Sequence, residues 1–321
     1  MRLKDVDLKN CIGSTIDIKA GVRDFVEMTT KTGKKYLKFV MFDGNIKYDV
    51  RWFDVTEYGL QNVDTFSNKV CNISCKIQEY MGQVSVIVDI TEVLADDIDE
   101  YTTNLGEDSI SGYYAEIENY CNSMNRNRIL YKICSKALDM YKEKISYYPA
   151  AVSVHHAFKG GWVLHTVKMC RMADKIASIY NLDKDLLICG TLMHDMGKLE
   201  EYSTDTISTK VTGLGALIGH PVIGTHIVNY IVSKYCDINN MTDSDKEDVM
   251  LLNHMLLSHH GELQYGSPVV PKIPEAVVLH EIDMIDSRIN MFSGVYDTMS
   301  NGETHKDYLI EAYKPKFSKG N

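Results

Sequence analysis

No apolar run in this chain exceeds about seven residues, far short of the roughly 18 that a membrane-spanning helix needs. The first residues, MRLKDVDLKN, are charged and lack the apolar core of an export signal. None of the eight cysteines (Cys11, Cys71, Cys75, Cys121, Cys134, Cys170, Cys189 and Cys236) belongs to a C-x-x-C pair. That argues against a disulfide framework or a zinc ribbon and makes reduced thiols the expected state. Positive charge is not in surplus: 34 Lys and Arg against 44 Asp and Glu leave a net −10, which disfavours a protein that grips nucleic acid by bulk electrostatics. These absences lead to the expectation of a cytoplasmic protein without membrane contact. Histidine is missing from the first 154 residues.

What is present divides the chain in two. Its 321 residues leave room for two ordinary domains, and 45% hydrophobic with 24% charged residues is globular composition. Residues 1–95 carry 13 Lys and Arg against 13 Asp and Glu; residues 96–321 carry 21 against 31, together with all eleven histidines. An acidic, histidine-rich half invites a metal, because carboxylate and imidazole are ligands of hard and borderline divalent ions.

The first half reads as strands and turns. Ile46, Tyr48, Val50 and Trp52 alternate with Lys47, Asp49 and Arg51, the period-two pattern of a half-buried strand, and Val84, Val86, Val88 and Ile90 repeat it. Cys71 and Cys75 alternate with Ile73 and Ile77 and read as core rather than as zinc ligands. Turns are expected at Thr30–Lys34 and at Asp43-Gly44. About five short strands in this length suggest a small closed barrel, for which the OB-fold is the commonest answer. Residues 1–95 are therefore assigned to an OB-fold β-barrel and the acidic stretch 96–112 to a linker. Residues 113–300 are assigned to an all-α domain with no convincing strand, and the Lys-rich tail 301–321 is expected to be loosely ordered.

The chemistry sits in the helical half. His165 lies in an apolar helix pattern, and His194-Asp195 follow the apolar run LLICGTLM. His220 precedes Pro221 at a helix start, His254, His259 and His260 lie in HMLLSHHG, and Asp283 and Asp286 share one helical face. An ionised Asp inside an apolar helix is costly unless it is paired or binds a metal. One such histidine is most often a satisfied core residue; so many polar positions in one helical domain point to a single inward-facing site.

The order H…HD…H…HH…D resembles the HD-domain superfamily of metal-dependent phosphohydrolases. Together with the preceding barrel it resembles the YhaM-type 3′–5′ exoribonucleases more closely. The segments that carry the resemblance are PAAVSVHHAFKGGWVLHT (149–166), LLICGTLMHDMGKLEEY (186–202), GHPVIG (219–224), HMLLSHHG (254–261) and LHEIDMIDSRI (279–289). It implies metal ligation by His165, His194, Asp195 and Asp283. Asp195 would bridge to a second ion held by His220 and His259, with His254 as the alternative for the last position. Catalytic roles fall to Asp195, to Lys198 and Arg288 as phosphate contacts, and to His260 and Asp286 in an outer ring. His155 and His156 are read as a structural or substrate-side pair. Two divalent ions are implied, Mn2+ first, with Fe, Co2+ or Mg2+ as alternatives. The chain departs from the family pattern at Leu164, where an acidic residue is expected, and at Arg288, where a lysine is expected; both departures bear on substrate rather than on the ligands.

The barrel would grip single-stranded RNA, or DNA, by stacking aromatics and a modestly basic groove. Its candidates are Lys34, Lys35, Tyr36, Lys38, Arg51, Trp52 and Phe53. Rival readings are an HD phosphodiesterase or phosphatase for small nucleotides with a regulatory barrel, and a non-catalytic single-strand-binding protein. Assembly into a homo-oligomer stays open.

Overall fold

The structure is a computed structural model that describes every residue except 45, 81–82, 152–157, 205–208, 307–309 and 318–321. Five strands, β1 (Thr15–Thr29), β2 (Lys35–Asp43), β3 (Ile46–Trp52), β4 (Lys69–Tyr80) and β5 (Gln83–Val93), close a barrel in the order β1-β2-β3-β5-β4. Strands β3 and β5 run parallel through Arg51 and Ile87, and the other pairs are antiparallel. A short helix, α1 (Glu57–Gln61), lies between β3 and β4, capped by the Thr56 side chain. This is an OB-like barrel, as the strand count suggests.

The strands are longer than the sequence pattern implies. β1 runs for 15 residues because it serves two neighbours, pairing with β4 through its first half and with β2 through its second. A bulge between Arg23 and Val26, with Asp24 at φ 58°, bends it between the two tasks. Alternate residues point inward, so Leu37, Phe39, Met41, Val50 and Trp52 share the core with Cys71, Ile73, Cys75 and Ile77. Burial pushes the Cys71 and Cys75 thiols up to about 12, which leaves them unreactive.

The second half is built from α2 (Glu107–Ser123), α3 (Ile129–Tyr147), α4 (Gly161–Tyr180), α5 (Lys184–Met193) and the single turn α6 (Lys198–Glu201). A small hairpin follows, β6 (Tyr202–Thr204) with β7 (Thr209–Val211), then α7 (Gly213–Ile218), α8 (His220–Tyr235), α9 (Asp243–Ser258) and α10 (Pro274–Thr298). The core gathers Trp162, Ile117, Leu130, Ile133, Leu187 and Leu256 from five of these helices. Arg128, just before α3, donates to Asp248 of α9 at 2.6 and 3.1 Å and to Asp183, the cap of α5, at 2.7 Å. It ties together the two helices whose far ends carry the site.

Three expectations need correction. Helix begins at Glu107, inside the stretch read as linker. Short strands do occur in the helical half, as β6 and β7. The tail is not loose among its described residues: β8 (Thr304–Lys306) pairs with β9 (Glu311–Tyr313), and Ala312 is buried. Lys314 Nζ donates to the carbonyls of Tyr296 and Met299 at 2.7 and 2.9 Å, which ties the tail to the C-terminal end of α10. The polar composition of the tail does not reveal these tertiary tethers.

Candidate metal centre

Five segments bring the H…HD…H…HH…D order of histidines and carboxylates to one point. His165 lies on α4, while His194 and His259 are the residues that cap the C-terminal ends of α5 and α9. His220 opens α8, and Asp283 and Asp286 lie on α10. Asp195 stands at the centre with 1% exposure, its turn anchored by Trp162 Nε1, which donates to the Asp195 carbonyl at 3.1 Å. Gly197 lets α6 press against the start of α8; a side-chain carbon there would come within 2.1 Å of the His220 carbonyl oxygen.

The four histidines are oriented alike. His194 Nδ1 donates to the carbonyl of Thr191 at 2.8 Å and His259 Nδ1 to that of Leu256 at 2.7 Å, each using a free carbonyl at the end of its own helix. His165 Nδ1 donates to Asp286 Oδ2 at 2.7 Å and His220 Nδ1 to Glu201 Oε2 at 2.9 Å. With every Nδ1 engaged outward, every Nε2 faces Asp195. His165 and His194 face Asp195 Oδ2 at 3.8 and 3.3 Å, and His220 and His259 face Oδ1 at 3.6 and 3.9 Å. Asp283 Oδ1 lies 3.4 Å from His165 Nε2, and His260 Nε2 lies 3.1 Å from His220 Nε2.

The donor set fits divalent ions. Among the described residues His194 Nε2 and Asp195 Oδ1 are buried without a hydrogen-bond partner, which is costly unless something binds them. Ligand atoms converge in two groups, His165 with His194 and Asp195, and His220 with His259 and His260, each within 4.8 Å. Burial, together with the neighbouring histidines, holds His259 well below the ordinary imidazole range, and burial and His220 lower His260 to about 4. Both are thus neutral, the form that ligates. Burial opposes protonation of His165, but Asp283 and Asp286 outweigh it and raise it to about 9, the mark of a pocket with negative charge to spare. Burial likewise opposes ionisation of Asp195, Asp283 and Glu201, yet the surrounding histidines, with Lys198 beside Asp195, keep all three carboxyls below the usual range. The C-terminal ends of α5 and α9 add their partial negative charge.

The remaining candidates fall elsewhere. Lys198 is not a solvated lysine: it is 8% exposed, and its Nζ donates to Asp195 Oδ2 at 2.8 Å and to the Ala150 carbonyl at 2.9 Å. Arg288 is exposed and has no ion-pair partner among the described residues. His254 turns away, its Nε2 accepting from the Lys272 backbone N–H at 3.0 Å, which leaves His259 as the residue at the cluster. His260, read as an outer residue, lies among the inner histidines, and Asp286, read as catalytic, stands behind His165. His155 and His156 lie outside the described residues. Glu201 was missed; its role depends on a partner 19 positions away, across a hairpin and a helix.

On the barrel, Trp52 is a core residue, 6% exposed and edge-on to Phe66 at 5.5 Å, and cannot stack on a base. Lys34, Lys35 and Lys38 pair with Asp54, Glu27 and Asp49 at 2.9, 2.7 and 2.9 Å. Tyr36 and Phe53, half-buried on the outer face, have ring centroids 4.7 Å apart, with Arg51 opposite Lys38 beside them.

A barrel of OB-like topology followed by helices that enclose an H…HD…H…HH…D cluster defines an HD-domain protein, and the HD domain family matches residues 163–288. The chain is 32% identical to the 3′–5′ exoribonuclease YhaM of Listeria monocytogenes serotype 4b (strain CLIP80459) over 298 residues, 91% of each chain. It is 30% identical to the 3′–5′ exoribonuclease YhaM of Bacillus subtilis (strain 168) over 321 residues, 96% of this chain and 97% of the relative. The chain belongs to the YhaM family. No solved structure gives a significant match.

Proposed function

We propose that this protein is a metal-dependent 3′–5′ exonuclease that hydrolyses the phosphodiester bonds of single-stranded RNA and releases nucleotides. The observation that carries the reading is Asp195, which offers one oxygen to His165 and His194 and the other to His220 and His259. The YhaM relatives bear the name of exoribonuclease, which favours RNA over DNA. His165, His194, Asp195 and Asp283 would hold one divalent ion, and Asp195, His220, His259 and His260 a second. So many imidazoles suit Mn2+, Fe or Co2+ better than Mg2+, which prefers oxygen. Bound there, the ions supply hydroxide near neutral pH and offset charge growing on the phosphoryl oxygens.

The chain's own residues prepare that chemistry. Asp286, Glu201 and two main-chain carbonyls fix the histidine tautomers, and Lys198 holds Asp195 in place from the Ala150 carbonyl. No covalent nucleophile is required. The eight free cysteines fit a reducing compartment such as the cytoplasm. The Tyr36–Phe53 pair and Arg51 would take bases and backbone of the strand.

The test is single-stranded RNA labelled at its 5′ end, incubated with the protein and Mn2+. A ladder shortening from the 3′ end is expected. Intact RNA together with hydrolysis of mononucleotides would return the protein to the small-nucleotide reading, and binding without hydrolysis to the non-catalytic one.

A further inference from the structure

We infer that Glu201 is the positioning residue of the second half-site: it clamps His220 so that Nε2 faces the position shared with Asp195, His259 and His260. The inference rests on the reading of the cluster as a two-ion site. Glu201 uses both carboxylate oxygens on one residue. Oε1 accepts the His220 backbone N–H at 3.1 Å and Oε2 accepts Nδ1–H at 2.9 Å. The first bond satisfies a free donor at the start of α8, and the second selects the tautomer that leaves Nε2 as the ligating atom. His220 then has no freedom to rotate its ring without breaking a buried charge-assisted bond.

Glu201 is itself locked. It is 9% exposed, and its carbonyl accepts from the Thr212 N–H at 2.8 Å. Helix α7 crosses it at Gly215, where a side-chain carbon would come within 2.5 Å of the Glu201 carbonyl oxygen and 2.7 Å of Cγ. The β6–β7 hairpin and α7 thus bring the end of α6 back against the start of α8. Asp286 plays the matching part behind His165 in the first half-site. The two carboxylates make the half-sites separately tunable, because Glu201 backs His220 and Asp286 backs His165.

The experiment is Mn2+ titration of the metal-free full chain by calorimetry, with electron paramagnetic resonance of the loaded protein. It compares wild type with Glu201→Gln and Asp286→Asn, each checked for fold by circular dichroism. Wild type should bind two ions with a spin-coupled signal. Glu201→Gln keeps the volume but cannot accept both N–H groups; one ion should bind as in wild type and the other about 10–100-fold more weakly, with an isolated-Mn2+ signal at matched loading. Asp286→Asn should weaken the opposite ion. Two ions of unchanged affinity in Glu201→Gln overturn the inference, and so does equal weakening of both ions, which marks a general structural lesion. A wild-type chain that takes fewer than two ions removes the two-ion reading and this inference with it, so the wild-type control separates the two failures.

Discussion

The two halves of this chain treat polar residues in opposite ways. On the barrel, Lys34, Lys35 and Lys38 sit at the surface, each against one carboxylate, an arrangement worth little in water. In the helical half His165, His194 and His259 are at most 1% exposed, and each ring is held by a specific acceptor. The difference teaches where folding energy is invested. The barrel keeps the lysines of this face near solvent. The helical half desolvates its charges to hold a geometry in advance, which is what hydrolysis by bound ions requires.

The largest expected effect breaks the helical half alone. Asp195→Ala should lower turnover on RNA on the order of 10³-fold, comparable to loss of a central transition-state stabiliser, and remove bound metal. Affinity of the barrel face for a single strand should be unchanged; near-normal turnover with saturating Mn2+ would contradict the central role of Asp195. Next comes Trp52→Ala, which should cost the barrel about 3–5 kcal/mol as an emptied core site, read from urea unfolding. A loss of RNA binding without loss of stability would return Trp52 to the surface reading.

Lys198→Met sharpens the contrast between clamp and contact. Two hydrogen bonds that hold Asp195 and Ala150 disappear, so Mn2+ affinity should fall about 10–100-fold. A residue that met only phosphate would leave metal affinity intact. On the barrel, Tyr36→Ala or Phe53→Ala should weaken single-strand binding by about 1–3 kcal/mol per lost base contact, with cleavage of a dinucleotide unchanged. Lys34→Ala should stay within about 0.5 kcal/mol, measured in the same binding assay.

A further test concerns pH in the metal-free protein. His260 is lowered to about 4, so its folded form binds fewer protons than the unfolded chain. Its contribution to stability is full above the ordinary value of 6.5 and is lost as pH falls toward 4. His165, raised to about 9, behaves oppositely: its contribution is full below 6.5 and is lost as pH rises through 9. Urea midpoints should therefore decline on both flanks, and His260→Gln should flatten the acid flank; an unaltered acid flank would contradict the burial assigned to His260.

Much of this was legible in the residues, for physical reasons. The alternation Ile46, Tyr48, Val50, Trp52 is real, and the same parity that buries Val50 buries Trp52. Trp52 belongs to the inward set of β3 and so shares no binding face with Phe53, which follows the strand and lies against Tyr36. The order of His165, His194, Asp195, His220, His259 and Asp283 was legible through its resemblance to the HD-domain pattern, and the fold brings these residues to one point. The positions of Lys198 and Glu201 were not, because they depend on Ala150 and His220, partners remote in sequence that only the folded chain brings near. The tail misled for the same reason: Lys314 is held by the carbonyls of Tyr296 and Met299 at the end of α10, partners its own sequence neighbourhood does not announce.

The central claim is that one carboxylate, Asp195, serves two ion positions at once. Anomalous scattering from crystals grown with Mn2+ tests it most directly. The account predicts two manganese peaks, one between Asp195 Oδ2 and the His165–His194 pair, the other between Asp195 Oδ1 and the His220–His259 pair. A single peak, or peaks that leave either Asp195 oxygen without an ion, would contradict it.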